Sequence, residues 1–122
     1  MFTKTEFKKL LAERILILDG AMGTEIRKHK LSEEDFRSDL FADWDIDLKG
    51  NNDLLTLTKP ALIKNIHRDF VDAGSDIIET NTFNSNGTSQ SDYGLEELSY
   101  KLNFEGAKLA NEIASEAEKK VL

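Results

Sequence analysis

The chain has 122 residues, of which 39% are hydrophobic, and its formal net charge is −7. This length suits one domain with a core, and the acidic balance disfavours binding of nucleic acid or of an anionic membrane through a basic patch. There is no cysteine, which excludes disulfides. The longest apolar run near the N-terminus, residues 15–18, is too short for a signal peptide or a membrane-spanning helix. We therefore expect a soluble, cytoplasmic protein.

The first half of the chain predicts two helices and one strand. Apolar residues recur at helical spacing in residues 4–13, which indicates a short amphipathic helix. The run ILIL at 15–18 is continuous and apolar, which is typical of a strand that is buried on both faces. Gly23 then opens a short helix that ends near Lys28, and residues 31–58 form a long polar segment with little periodicity.

The second half predicts a helix, a strand and a long helix. Pro60 lies in the first turn of the first of these helices, whose apolar residues fall on one face and which stops at Gly74. The segment DIIET follows directly as a strand. A long helix then runs from about Leu95 to Lys119, and Gly106 permits a close approach to its surface. Its apolar stripe consists of Leu98, Leu102, Leu109 and Ile113.

This order of elements indicates an α/β fold made of parallel βα units. We predict strands at Arg14–Leu18 and Asp76–Glu79 that lie side by side, run in the same direction and are each followed by helices. Two parallel strands do not make a stable sheet, and a closed eight-stranded barrel needs about 250 residues. The chain is therefore expected to be the opening piece of something larger.

Polar residues follow both predicted strands. Asp19 and Gly20 come after the first strand, and Glu79 and Thr80 end the second. In parallel α/β architectures ligands bind at the carboxyl ends of the strands, so these residues are expected to meet on one rim. Two carboxylates can bind a substrate ammonium group there, while backbone N–H groups and hydroxyls can bind a carboxylate, so an α-amino acid fits. The alternative is structural: Asp19 caps the following helix and Glu79 pairs with a basic residue.

Other motifs give weaker evidence for a function. The segment DWDID at 43–47 begins like a calcium loop, but Leu48 and Leu54 occupy the positions that require Gly and Glu. Two glycines without a third do not make a dinucleotide fingerprint. Two lone histidines, His29 at a helix end and His67 within a helix, make no zinc site, so solvated or packing roles are expected for both.

Four segments in order resemble the start of the homocysteine-binding methyltransferase module of cobalamin-dependent methionine synthases. They are LDGAMGTEI (18–26), FADWDIDLKGNNDLLTLTKP (41–60), IH (66–67) and AGSDIIETNTFNS (73–85). The resemblance runs from about Arg14 to the end of the last helix. Within it, the block DLKGNNDLL is what separates the folate- and cobalamin-using enzymes from relatives that take methyl groups from betaine or S-methylmethionine.

The resemblance implies a fold, a reaction and a set of site residues. The module would be a (β/α)₈ TIM-type barrel that binds homocysteine at its rim, where a zinc ion held by three cysteines binds the sulfur as a thiolate. That thiolate takes the methyl group of methylcobalamin, which methyltetrahydrofolate supplies. Asp19 would bind the substrate amino group, Glu79 and Thr80 would line the pocket, and the backbone around Gly20 would lie near the bound amino acid.

The resemblance also has a gap. The zinc cysteines belong to later strands of the module, and this chain has none. We therefore expect residues 1–122 to be a truncated N-terminal segment of such a domain with an N-terminal helix, part of a methionine-biosynthesis enzyme and inactive alone. No catalytic residue or metal ligand is expected in it, and the zinc and cobalamin ligands and the folate and cobalamin domains would lie outside this chain.

Two alternatives remain open. In the first, the chain is the corresponding segment of a cobalamin-independent homocysteine methyltransferase that uses another methyl donor. In the second, it is a small non-catalytic α/β assembly protein. In every case an exposed strand edge, with the uncovered face beside it, favours self-association.

Overall fold

The computed structural model describes residues 3–117 and 121, and this part of the chain is mainly helical. Its α-helices are α1 (Lys4–Glu13), α2 (Met22–Lys28), α3 (Glu33–Arg37), α4 (Leu55–Thr58), α5 (Pro60–Asp72), α6 (Gly87–Gln90) and α7 (Ser99–Glu116). Short 3₁₀ helices cover Asp39–Phe41, Asn52–Leu54, Ser91–Tyr93 and Glu96–Leu98. No helix in this part of the chain is both long enough and apolar enough to span a membrane.

The predicted strands at Arg14–Leu18 and Asp76–Glu79 do not form. The described residues contain one isolated parallel bridge, between Leu18 and Ile77, and no sheet. The prediction of an α/β fold made of the opening βα units of a (β/α)₈ barrel is therefore wrong for this structure. Residues expected to be buried on both faces are instead exposed, with Ile15 84% exposed. The physical reason is that a strand needs neighbouring strands to pair with its backbone groups and other elements to cover its two faces. Here only one segment pairs with it.

The two segments nevertheless lie side by side. Asp76 and Ile77 both donate their backbone N–H groups to the Ile17 carbonyl, at 2.7 and 3.1 Å, and Asp19 donates its own to the Ile77 carbonyl at 2.9 Å. The Arg14 guanidinium forms two hydrogen bonds of 2.8 Å with the buried Asp76 carboxylate. Bidentate pairs of this kind are strong and fix orientation. These contacts bring together the residues that follow the two segments.

The predicted helices are confirmed, with small differences at their ends. α1 has the predicted bounds and begins with a capping box between Thr3 and Glu6. None of its residues is fully buried: Phe7 and Leu10 are partly covered, and Leu11 is exposed. α2 begins one residue before Gly23 and ends at Lys28 as predicted.

α5 and α7 supply much of the core. α5 begins at Pro60, buries Ile63 and Ile66, and is followed by Gly74 at a φ of 113°, a left-handed conformation that favours glycine. α7 begins at Ser99 because the preceding turn is 3₁₀, and it ends at Glu116. The predicted extension of this helix to Lys119 stops short at Ala117, which is extended, and residues 118–119 fall outside the described part of the chain. Three residues of its predicted stripe, Leu102, Leu109 and Ile113, are buried, whereas Leu98 lies in the preceding 3₁₀ turn and is only partly buried against the core.

The segment 31–58 is more ordered than its sequence indicates. Its polar residues alternate with apolar ones that lack a clear period, yet Leu48, Leu54 and Leu55 are fully buried in the main core. These leucines lie in or next to short α and 3₁₀ turns, which are too short to show a periodic hydrophobic pattern in the sequence. These turns place the block GNND, at 50–53, beside the two paired segments.

Candidate functional site

The described residues enclose a cleft of about 450 Å³ where the two paired segments end. All four residues that the sequence singles out, Asp19, Gly20, Glu79 and Thr80, line it. Its other lining residues are Ala21, Met22, Gly23, Asn52, Asp53, Asn81, Thr82, Phe83 and Asn84. The volume lies within the range of about 300–1,000 Å³ that small-molecule sites occupy. The predicted meeting of the two polar clusters is thus observed, although the predicted strands are not.

Asp19 is held at the base of this arrangement. Both of its carboxylate oxygens accept a hydrogen bond from the Glu79 backbone N–H, at 3.1 and 3.2 Å, and its side chain is only 5% exposed. It does not cap α2, because the N-cap residue is Ala21, which adopts a left-handed φ of 40° and has no side-chain cap. The helix-cap alternative for Asp19 is therefore excluded by the geometry.

Burial has the largest effect on the pKa of Asp19. Desolvation raises the pKa of its carboxyl above the ordinary value, the Glu79 backbone N–H opposes this by stabilising the ionised form, and the Glu79 carboxylate adds to the rise. A carboxylate that is poorly solvated gains more from a cationic partner than one in open water. The site therefore favours a ligand that brings a positive charge to Asp19.

Glu79 and Thr80 form the exposed side of the cleft. Glu79 makes no ion pair within 4.0 Å with a described basic side chain, so the alternative that it pairs with a basic residue is not observed. The Thr80 hydroxyl lies 2.6 Å from the Thr82 hydroxyl, which leaves the pair able to donate one further hydrogen bond. Both side chains remain available to a ligand.

Buried amides and a third carboxylate complete the wall. Asn81 donates its side-chain N–H to the Asn52 carbonyl at 2.8 Å, and Asp53 accepts the Asn84 backbone N–H at 3.1 Å. Burial raises the pKa of the Asp53 carboxyl, and the Asn84 N–H opposes that rise. Asn52 and Asp53 are not among the site residues that the sequence predicts. Their signal was present in the block DLKGNNDLL, but only the tertiary structure shows that it faces the cleft.

Gly20 leaves space at the cleft wall. A Cβ atom added at Gly20 would meet no heavy atom within 4 Å, whereas one at Gly23 would contact the Asn52 side-chain nitrogen at 3.5 Å. Packing within the described residues therefore does not demand a glycine at position 20.

The sequence model of the family described as Homocysteine S-methyltransferase matches residues 16–122. This match covers most of the chain, including every residue that lines the cleft. The chain belongs to the homocysteine S-methyltransferase family. The resemblance drawn from the four sequence segments is thereby confirmed at the level of the family, which is a family of methyltransferases.

A zinc site like the one implied for such methyltransferases does not fit the residues of this family member. The chain has no cysteine, and no group of three or more His, Cys, Asp or Glu side chains in its described part is arranged to hold a metal ion. His29 lies at the exposed end of α2, and His67 is buried in α5. We therefore derive no chemical step through a metal on these residues.

Proposed function

We propose that this chain supplies part of the homocysteine pocket of a cobalamin-dependent methionine synthase. The observation that carries the proposal is the cleft itself, where a desolvated carboxylate, Asp19, meets Glu79 and the hydroxyl of Thr80. The block that contains Asn52 and Asp53 supports the folate- and cobalamin-using type, because this block resembles that type and both residues line the cleft.

The charges of the cleft suit the ammonium end of an amino acid. Its lining contains three carboxylates, Asp19, Asp53 and Glu79, and no Lys, Arg or His side chain. In our proposal Asp19 binds the substrate ammonium group and Glu79 adds to the negative potential. Thr80 and the backbone at Gly20 then contact the remainder of the amino acid, with backbone N–H groups as donors to its carboxylate.

The chemistry of methyl transfer is proposed to reside elsewhere in the parent protein. We place the zinc and cobalamin ligands, and the parts that bind methyltetrahydrofolate, outside this chain, as the resemblance to the cobalamin-dependent enzymes implies. The parent enzyme would work in the cytoplasm. The 122 residues alone would then contribute binding groups and no catalytic group, and a mixture of this chain with homocysteine and a methyl donor should yield no methionine.

The substitution Asp19→Asn tests the substrate-binding role. In the whole methyltransferase that contains this chain, it keeps an oxygen to accept the Glu79 N–H but removes the charge. Loss of a charge-assisted hydrogen bond at a desolvated site should weaken L-homocysteine binding by about 1.5–3 kcal/mol, roughly ten- to a hundredfold. Isothermal titration calorimetry with L-homocysteine measures this change, and bound zinc should stay constant because Asp19 is not proposed as a ligand.

Two further variants make the result specific. Asp43→Asn removes the same charge outside the cleft, so it should leave the affinity unchanged. Gly20→Ala adds a methyl group where the protein leaves open space, so it should leave the thermal unfolding midpoint unchanged but weaken homocysteine binding. An unchanged affinity in both Asp19→Asn and Gly20→Ala would remove the cleft from the substrate site.

A further inference from the structure

His67 is buried in the middle of α5 with no hydrogen-bond partner. Its side chain is 0% exposed, and neither ring nitrogen has an acceptor or donor within hydrogen-bond distance. Its Nδ1 atom lies 4.0 Å from the Oδ2 atom of Asp19. Among the described carboxylates, only Asp19 comes this close to a His67 nitrogen. A buried polar ring is therefore aimed at the carboxylate that the cleft presents.

This placement is costly for a residue that only fills space. A buried polar group without a hydrogen bond destabilises the folded state, and buried polar groups in folded proteins nearly always have a partner. Leucine or phenylalanine would fill a similar volume without that cost. The imidazole is also neutral near neutral pH, because burial lowers the pKa of His67. It therefore carries one N–H donor, on one of its two nitrogens.

We infer that His67 is a positioning residue for Asp19, with its proton on Nδ1 facing the carboxylate from the side of the core. The Glu79 backbone N–H holds the same carboxylate at 3.1 and 3.2 Å. A shift of about 1 Å in the imidazole or the carboxylate would turn the 4.0 Å approach into a hydrogen bond. The two donors together would hold Asp19 in one orientation and favour its ionised form.

Two basic side chains of α5 are paired with α7 and not with the cleft carboxylate. Lys64 pairs with Glu112 and Arg68 pairs with Glu116, both on the face of α5 that meets α7 near solvent. On the cleft side, Glu79 is the charged group that acts on Asp19. His67 is thus the polar group of α5 that approaches the cleft carboxylate. The effect of the His67–Asp19 pair on homocysteine binding rests on the proposed function, whereas the pair itself does not.

The tautomer of His67 tests the inference without any substitution. In the ¹⁵N-labelled 122-residue chain at neutral pH, the imidazole nitrogen shifts distinguish a proton on Nδ1 from one on Nε2. We expect the Nδ1–H form. A His67 ring that carries its proton on Nε2 would overturn the inference, since Nδ1 could then donate nothing to Asp19.

Substitutions then measure what the donor does. His67→Asn keeps an N–H near the position of Nδ1, whereas His67→Leu fills the space without one. In ¹³C-carboxyl NMR titrations of the 122-residue chain, His67→Leu should raise the Asp19 midpoint by about half to one pH unit, and His67→Asn should restore it. The Asp53 midpoint serves as the internal control and should not move. An Asp19 midpoint that is the same in all three folded chains would refute the pairing.

Homocysteine binding by the whole methyltransferase separates the two proposals. If both hold, His67→Leu should weaken L-homocysteine binding about three- to tenfold, and His67→Asn should recover most of the loss. A shifted Asp19 midpoint with unchanged homocysteine affinity would support the pair and count against the proposed function. Weaker homocysteine binding with an unshifted Asp19 midpoint would refute the pair and leave the proposed function standing.

Discussion

Asp35 joins two neighbouring segments through one carboxylate. It closes a capping box at the start of α3 by accepting the Ser32 backbone N–H at 2.8 Å, and it pairs with the Lys59 ammonium at 2.8 Å. The hydrogen bond from Lys59, followed by those from Ser32, lowers the pKa of Asp35 to about 2. The same helix carries the buried Phe36, so the Asp35 carboxylate stabilises the start of a helix that contributes to the core.

The depressed pKa of Asp35 predicts the direction of its pH dependence. Its folded pKa of about 2 lies below the ordinary value of 3.8, so its contribution to stability is fully present above pH 3.8 and is lost as the pH falls towards 2. A ¹³C-carboxyl titration should show a midpoint near 2 for Asp35, and Lys59→Met should move that midpoint upwards. A midpoint that is the same in the native chain and in Lys59→Met would show that the pair is absent in solution.

At the scale of the elements, α7 approaches the cleft wall closely at Gly106. A Cβ atom at this position would lie 2.7 Å from the Thr82 methyl carbon, which is shorter than any ordinary contact. Thr82 in turn belongs to the cleft wall and approaches the Thr80 hydroxyl. The helix therefore supports the cleft from behind, and the absence of a side chain at Gly106 permits this.

Gly106→Ala should lower the free energy of unfolding. Overpacking costs about 1–3 kcal/mol, against a gain of about 1 kcal/mol in helix propensity from replacing glycine in a helix. Thr82→Ser removes the opposing methyl carbon and keeps the hydroxyl, so the double variant should recover the loss. Chemical denaturation of the four chains in a double-mutant cycle should give a coupling energy of about 1–2 kcal/mol.

Gly87→Ala provides the matched control for this contact. An added Cβ there would meet only the Ser99 hydroxyl oxygen, at an ordinary 3.9 Å. It should therefore be neutral or stabilise the fold by up to about 1 kcal/mol. A coupling energy near zero between positions 106 and 82, with Gly87→Ala behaving as expected, would mean that α7 does not approach the cleft wall this closely in solution.

At the scale of the whole molecule, several large apolar side chains stay in contact with solvent. Ile15 is 84% exposed, Ile17 is 54% exposed and Phe83 is 94% exposed. Tyr100 and Phe104 stack on each other on the outer face of α7, with ring centroids 6.1 Å apart. Exposed apolar surface of this kind favours association with another chain.

We expect the 122-residue chain to self-associate through the segment 15–18. The double substitution Ile15→Ser with Ile17→Ser should reduce the association, because it removes exposed apolar surface from this segment. Leu40→Ser is the control, since Leu40 is 63% exposed but lies in a different part of the chain. Sedimentation velocity over a range of concentrations measures the change. A chain that stays monomeric at all concentrations would contradict the expectation.

Part of this architecture could be predicted from single segments. The bounds of α1, the start of α5 at Pro60 and three of the four predicted stripe residues of α7 follow from local spacing and capping residues, and the structure confirms them. The candidate site residues Asp19 and Glu79 were also predicted to meet, and they do. What the sequence did not indicate was the contribution of Asn52 and Asp53, or the burial of His67 beneath the cleft.

The difference between these outcomes lies in where each element finds its partners. A helix satisfies its backbone hydrogen bonds within its own segment, so the sequence by itself determined α1, α5 and α7. A strand needs partners from elsewhere in the chain, and the apolar run at 15–18 meets one segment at one bridge, so only the tertiary structure decided that no sheet forms. The same tertiary contacts placed His67 behind Asp19, because a residue spacing within α5 contains no information about what lies opposite its buried face.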